Sequence, residues 1–359
     1  MQLNLTGPIN QLGYGITCLN ILKALWNRGV EVSLYPISGP ESISVSCQED
    51  HTIVQRSLDL AKNGYNPEAA SVRLWHQFDL AQHVGRGKHI GFPIFELDTF
   101  TKQELHQMRS CDELMVCSEW AKGVIQYHGL GNNIHVVPLG VDTSIFLPTN
   151  PSMTQQHPKN KTVFFNCGKW EVRKGHDILI RAFRLAYEQN PNIELRMMCH
   201  NPFNTTGEDE RWESLYSHPG VKLIPRAETQ GGVYNMMAEA DCGVFPSRGE
   251  GWNLELLEMM SVGRHVIATD YSAHTEFCNA DNCTAINIEN TEPAYDNKWF
   301  FGQGKWAKID ENTIRDLSDA MLAFAANYKG EISEAGISTA SEFTWRNTAD
   351  KIVEGVLWE

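Results

Sequence analysis

Three short stretches of this sequence combine residue types that can act on one ligand. In Cys167-Gly168-Lys169-Trp170-Glu171-Val172-Arg173-Lys174-Gly175, three cations fall within six residues behind an apolar run that reads as a strand. On a solvated turn such charges do nothing. At the carboxyl end of a strand facing a ligand, Lys169, Arg173 and Lys174 would neutralise the charge that develops on a diphosphate leaving group. In Gly249-Glu250-Gly251-Trp252-Asn253-Leu254-Glu255-Leu256-Leu257-Glu258, one carboxylate precedes a helix and another lies about a turn and a half inside it. Glu250 and Glu258 can then point toward one end of a cleft, where carboxylates suit sugar hydroxyls and the N–H groups of Asn253 and Leu254 suit phosphate. Glu255 competes for that role, although a first-turn acid also complements the helix dipole.

The third stretch is Gly13-Tyr14-Gly15, read as a loop ahead of a helix that starts near Ile16. Glycine allows close backbone approach, and a helix N-terminus attracts phosphate. A dinucleotide fingerprint would need Gly or Ala at Cys18 and an acid where Tyr35-Pro36 end the next strand, so a nicotinamide site is disfavoured. Tyr14, Trp170 and Trp252 flank glycine turns and read as packing residues. Nine cysteines at scattered positions give no C-x-x-C pair and no zinc spacing, so reduced, buried thiols and no metal or cofactor are expected.

These residues need a scaffold, and the hydrophobic pattern supplies one. Leu3 and Leu5 alternate; Ile16, Leu19, Leu22, Leu25 and Trp26 then recur at helical spacing until Gly29, and VEVSLYP resumes the period of two. This is a βαβ unit. Strand-like SVRLW, KHIGFPIF, ELMVCS and IHVVPL follow, with helices at 99–110 and 119–128. Between Phe146 and Lys161 the sequence turns to prolines and polar residues, the composition of a linker. The alternation then restarts at KTVFFNCG, with helices at 175–190, 208–216, 229–240 and 253–262, and a helical tail over 311–359. At about 150 residues per domain, 359 residues also predict two domains. The fold class is therefore α/β, with two doubly wound Rossmann-like domains facing across an interdomain cleft.

The formal net charge of −14 disfavours nucleic acid and anionic membranes as partners. No Lys or Arg precedes Lys23, and no apolar run approaches the roughly 18 residues of a membrane span, so a cytoplasmic location is expected.

GEGWNLELLE resembles the E-x7-E motif of retaining glycosyltransferases of the GT-B fold, and of their family 4 in particular. NCGKWEVRKGHDILIRAF, ADCGVFPSRGEG, VVPLGVDTSIF and CSEWAKGVI are similar to further family segments, in the family's order. The resemblance implies a GT-B enzyme. Its domains would be an acceptor-side domain at 1–150, a nucleotide-sugar-binding domain at 151–340, and a helix at 341–359 crossing back to the first. It would move a hexosyl group from a nucleotide-diphosphate sugar to a hydroxyl of a glycan, lipid-linked glycan, metabolite or other acceptor, with retention and without metal.

By position, Lys169 and Lys174, with Arg173, would hold the diphosphate. Glu250 would contact donor-sugar hydroxyls, Gly251, Asn253 and Leu254 would line the donor, and Glu258 would bind ribose. The Gly13–Gly15 loop, Tyr14 included, would close over the phosphates, His76 in LWHQFD would stand at the reacting face, and Glu96 in PIFELD matches an acid of some members. Two positions depart from the pattern: Lys169 stands where members usually carry Arg, and Asn253 where many carry a small residue. A nucleotide-sugar-binding protein without turnover, and a sugar-nucleotide epimerase of the same fold, are the alternatives.

Overall fold

The computed structural model describes residues 1–131, 133–149 and 161–357. The chain divides into two compact units, Met1–Asp142 together with the stretch from Phe343, and Thr143–Glu342. Most of the linker expected between Phe146 and Lys161 falls outside the described residues.

The first unit runs β1 (Gln2–Gly7), α1 (Gly13–Asn27), β2 (Glu31–Pro36), α2 (Gln48–Asn63), β3 (Ser71–Arg73), β4 (His89–Gly91), α3 (Lys102–Arg109), β5 (Glu113–Val116), α4 (Glu119–Tyr127) and β6 (Ile134–Val136). Its strands form one sheet in the order β2-β1-β3-β4-β5-β6, paired in parallel throughout. Leu3, Leu5, Val32, Leu34 and Val72 fill the sheet interior, and α1 covers it with Cys18, Ile21, Leu22 and Leu25. Strands buried on both faces carry such near-continuous apolar runs.

The second unit runs β7 (Thr162–Gly168), α5 (His176–Gln189), β8 (Ile193–Cys199), α6 (Thr206–Leu215), β9 (Val221–Leu223), α7 (Gln230–Ala238), β10 (Cys242–Phe245), α8 (Leu254–Ser261), β11 (His265–Thr269) and β12 (Thr284–Ile286). A hairpin of β13 (Thr291–Tyr295) and β14 (Phe301–Ala307), then α9 (Glu311–Asn327) and α10 (Glu334–Glu342), complete it. The main sheet is again parallel, in the order β12-β11-β10-β7-β8-β9. The sequence pattern foresaw five of the six strands of this sheet and the helices between them, but neither β12 nor the antiparallel hairpin.

The last helix, α11 (Trp345–Leu357), lies on α1 of the first unit, where Arg28 pairs with Asp350 and Thr348 Oγ1 donates to the Pro138 carbonyl at 2.8 Å. The chain thus returns to its first unit after completing the second.

Strand order fixes where each unit can bind. In the first sheet the order reverses between β1 and β3, and in the second between β7 and β10. At such a switch point neighbouring loops diverge to opposite faces and leave a crevice beyond the carboxyl ends of the strands. Among the described residues no helix is long and apolar enough to cross a membrane.

Candidate functional site

The switch point of the second unit brings the loop after β7 against the loop after β10. Gly175 makes the approach possible: its φ is +72°, and a Cβ there would stand 2.0 Å from the Pro246 carbonyl oxygen. No L side chain fits that gap. The Arg248 N–H donates to the Arg173 carbonyl at 2.7 Å, and the Arg248 guanidinium grips both Asp177 oxygens at 2.8 and 2.9 Å. His176, fully buried at the start of α5, accepts the Glu171 N–H on Nδ1 at 3.2 Å and donates from Nε2 to Asn166 Oδ1 at 3.0 Å. That arrangement requires a neutral ring. Burial, with Lys174 nearby, pushes the His176 pKa down to about 3.

The two loops carry one network of ions. Glu250 receives Arg173 Nη1 at 2.6 Å on one carboxylate oxygen, and Lys174 Nζ at 3.1 Å and Ser247 Oγ at 2.9 Å on the other. Arg173 reaches Glu171 at 2.8 Å with its other nitrogen, Lys169 pairs with the same carboxylate at 2.8 Å, and Lys174 stands 3.6 Å from Glu255. Burial raises the Glu250 pKa, but Arg173 and Lys174 outweigh it and hold the carboxyl well below the usual range. Burial likewise opposes, and Arg173 and Lys169 reverse, the shift of Glu171, which also lies low. Lys174 is desolvated, yet Glu250 and Glu255 keep its pKa above the usual lysine value. Glu171, Lys174 and Glu250 are therefore charged at neutral pH.

Asn253 closes the loop onto α8. Its φ of +82° is left-handed, a conformation that glycine adopts freely and asparagine tolerates better than other residues. Its Oδ1 caps the Leu256 N–H at 3.2 Å, and its Nδ2 donates at 2.9 Å to Nε2 of the buried His274, whose Nδ1 donates to the Thr269 carbonyl. Gly251 is buried just ahead of this cap, and Leu254 opens the helix. Glu258 is buried one turn on. It and Glu255, after burial itself, push the Cys167 thiol far above its ordinary pKa and leave it inert.

The switch point of the first unit gathers rings instead. Gly13, Tyr14 and Gly15 form the first turn of α1, not a loop ahead of it. The helix starts early because Gly15 fits where a Cβ would lie 2.3 Å from the Asn10 carbonyl oxygen. The Tyr14 hydroxyl donates to the Ile94 carbonyl at 2.7 Å and accepts the Ile94 N–H at 3.0 Å, which ties α1 to the segment after β4. Its ring centroid lies 4.6 Å from that of His76, which also stacks on Phe78 at 5.2 Å. Arg73 holds the turn that carries His76 by pairing with Asp79 at 2.6 Å. Burial, then the nearby Glu96 carboxylate, push the Tyr14 pKa well up and keep the hydroxyl protonated.

The structure therefore joins Lys169, Arg173, Lys174, Glu250 and Glu255 in one network, with Gly251, Asn253, Leu254 and Glu258 on the adjoining loop and helix. It joins Tyr14, His76 and Glu96 in another, with Gly13 and Gly15 beneath them. Arg173 is committed to two carboxylates, and Glu255 contacts Lys174 besides opening the helix. Tyr14, read as packing, anchors the first cluster. Sequence reasoning missed Glu171, Ser247, Arg248, His176 and His274. Only Glu171 carried a signal, as an acid inside the cation run. Among the thiols, all nine are free as expected, but Cys47 is exposed and caps α2 instead of being buried.

Comparison with known proteins follows the same lines. Residues 161–295 match the family described as Glycosyl transferases group 1. That match spans 135 of the 359 residues. The matched region contains the whole ion network. The chain is 23% identical, over 238 residues covering 63% of its length, to the D-inositol 3-phosphate glycosyltransferase of Corynebacterium aurimucosum, and spans about half (51%) of that relative's length. The sucrose-phosphate synthase structure from Thermosynechococcus elongatus superposes with a TM-score of 0.72 at 15% identity, covering 99% of this chain and 98% of the other. An Anabaena protein solved in complex with UDP and glucose gives 0.67 at 15% identity, covering 99% and 98%. The fold is GT-B.

Proposed function

We propose that the chain transfers a hexosyl group from a nucleotide-diphosphate sugar to an acceptor hydroxyl, with retention at the anomeric carbon and without a metal ion. The observation that carries this reading is the position of Lys174, held charged between Glu250 and Glu255 with Arg173 on the far oxygen of Glu250, at a sheet switch point. Three cations there face three carboxylates, so the network is balanced before a ligand arrives. Lys169 is the most exposed of the three, at 34%, and can turn from Glu171 to a phosphate while Arg173 still satisfies that carboxylate. The UDP and glucose in the Anabaena structure support a nucleotide-sugar donor, and the D-inositol 3-phosphate glycosyltransferase supports a sugar-like acceptor.

In the proposed reaction the bond from C1 to the diphosphate oxygen breaks while the acceptor oxygen bonds to C1 from the same face. The acceptor proton passes to the departing phosphate oxygen. Lys169 and Lys174 stabilise the charge left on the diphosphate, the role that preorganised cations fill best. Glu250 is a poor nucleophile here, since three donors occupy its oxygens and its pKa is depressed. It therefore positions sugar hydroxyls and keeps Lys174 in place.

The test is thermal-shift binding of UDP, GDP, ADP and their hexose conjugates, with Glu258→Ala alongside, followed by product analysis of the anomeric configuration with and without chelator. At about 100 times Kd, one nucleotide class should stabilise the wild type by about 2.7 kcal/mol, and the variant should lose the effect. No stabilisation by any nucleotide overturns the reading.

A further inference from the structure

Flanking the ion network, wholly within the second unit, is a cavity of about 580 Å³, within the range of small-molecule sites. It shares Trp170, Glu171 and Val172 with the loop after β7. Its other walls come from α6 and from the hairpin turn between β13 and β14. We propose that this cavity is a binding site for a neutral saccharide, separate from the donor site.

Its lining excludes most other ligands. Of its carboxylates, Glu171 is paired with Lys169 and Arg173, Asp177 with Arg248 and Glu208 with Lys298, so the wall offers a phosphate or nucleotide no uncommitted cation beyond Arg211. Tyr295, Trp299 and Trp212, the last stacked on the buried Trp170, supply the apolar surface. Their negative π faces attract the C–H groups on the flat side of a pyranose, while carboxylates and amides accept and donate to its hydroxyls. A neutral polyhydroxylated ring meets both demands; a plain hydrocarbon or an anion meets only one or neither.

The two hairpin rings, Tyr295 and Trp299, are held exposed by a dedicated scaffold. The Lys298 ammonium donates to the Phe203 carbonyl, Asn204 Oδ1 and Glu208 Oε1 at 2.8, 2.9 and 2.8 Å, which clasps the hairpin turn to the start of α6. Asp296 Oδ1 accepts the N–H groups of Lys298, Trp299 and Phe300 at 2.8, 2.8 and 2.9 Å. At the hairpin base Trp306 is buried beside Arg248, so the hairpin is rooted in the network it flanks. A two-stranded hairpin is marginal alone, and these contacts fix it. Tyr295 and Trp299 nonetheless remain 55% and 46% exposed. Rigid walls carrying exposed rings lose little entropy on binding, which is how a preorganised site gains affinity.

Saccharide binding here requires no transfer, so it can be tested apart from the donor reading. The full chain is applied to an array of neutral oligosaccharides, and the strongest binder is titrated calorimetrically into wild type, Trp299→Ala, Tyr295→Ala and Tyr127→Ala. Tyr127 ends α4 of the first unit and is 86% exposed, and it does not line the cavity. Each hairpin-ring variant should weaken binding at least about tenfold, equivalent to about 1.4 kcal/mol, and Tyr127→Ala should leave it unchanged. Nucleotide stabilisation should persist in all three variants; if nucleotides fail while glycans bind as described, only the donor reading falls. Absence of any neutral binder, binding indifferent to Trp299 and Tyr295, or equal loss in Tyr127→Ala overturns the proposal.

Discussion

At the carboxyl ends of the first sheet the chain places Tyr14, Trp75, His76 and Phe78 within ring-contact distance of one another; at those of the second it places Lys169, Arg173 and Lys174 among Glu171, Glu250 and Glu255. Both clusters sit at a switch point of a parallel sheet, yet one is cohesive through rings and the other through charge. Ring contacts tolerate small shifts and changes of shape. Buried ion pairs do not, because each charge left without its partner costs several kcal/mol. The second cluster is therefore the more rigid of the two, and the first tolerates more change of shape.

The sharpest way to break this contrast is Glu250→Ala, which strips a carboxylate from Arg173 and Lys174 in a buried setting. Urea unfolding should show a loss of about 3–5 kcal/mol. A loss below about 1 kcal/mol, the scale of an exposed pair, would mean that the network is not held by charge.

Acid should separate the two regions next. His176 is neutral when folded, with its pKa depressed from 6.5 to about 3, so the unfolded chain binds a proton first as pH falls. Stability is fully present above about pH 6.5 and declines toward pH 3 by up to about 1.4 kcal/mol per unit. Glu171 and Glu250, also depressed when folded, add to the decline below about pH 4.3, where their unfolded counterparts protonate. Denaturation curves at pH 7, 6, 5 and 4 test this, and His176→Gln should flatten the upper part of the decline.

In the first unit, Tyr14→Phe removes a hydroxyl that satisfies both backbone groups of Ile94, at an expected cost of about 1–2 kcal/mol. The profile with pH should be unaltered, since no ion is lost. The smallest effect concerns Asn253. Replacement by glycine relieves its left-handed backbone but removes the cap, for a net change of a few tenths of a kcal/mol, whereas alanine loses both and costs about 1–2 kcal/mol. Equal effects from the two would mean that the backbone conformation at 253 is not constrained.

Much of this was legible from residue order. Helical spacing of Leu22 and Leu25 and the apolar runs VFFNC and HVIAT specify buried strands and covering helices, because burial imposes a period on any chain that must fold. Lys169, Lys174, Glu250 and Glu258 stood out because the chemistry of a diphosphate and a sugar needs those types beside a helix start. Helix boundaries were read only approximately: helices expected at 99–110 and 208–216 start at Lys102 and Thr206, where the capping boxes of Thr101 with Glu104 and Thr205 with Glu208 fix them. The hairpin over residues 291–307 was not legible, since its alternation is short and its partner in packing, Arg248, lies some fifty residues earlier.

The sequence by itself determined the two parallel sheets, the residue types at their carboxyl ends and the family resemblance, all of which are written in local periodicity and contiguous motifs. Only the tertiary structure decided that Arg173 is bound by two carboxylates, that His176 and His274 are neutral supports, that Tyr14 joins α1 to the strand end at Ile94, and that α11 returns to the first unit. Those outcomes depend on which distant segments meet. Desolvation and Coulomb interaction act through space, so a residue's charge and its freedom to act are set by neighbours that its own stretch of sequence does not contain.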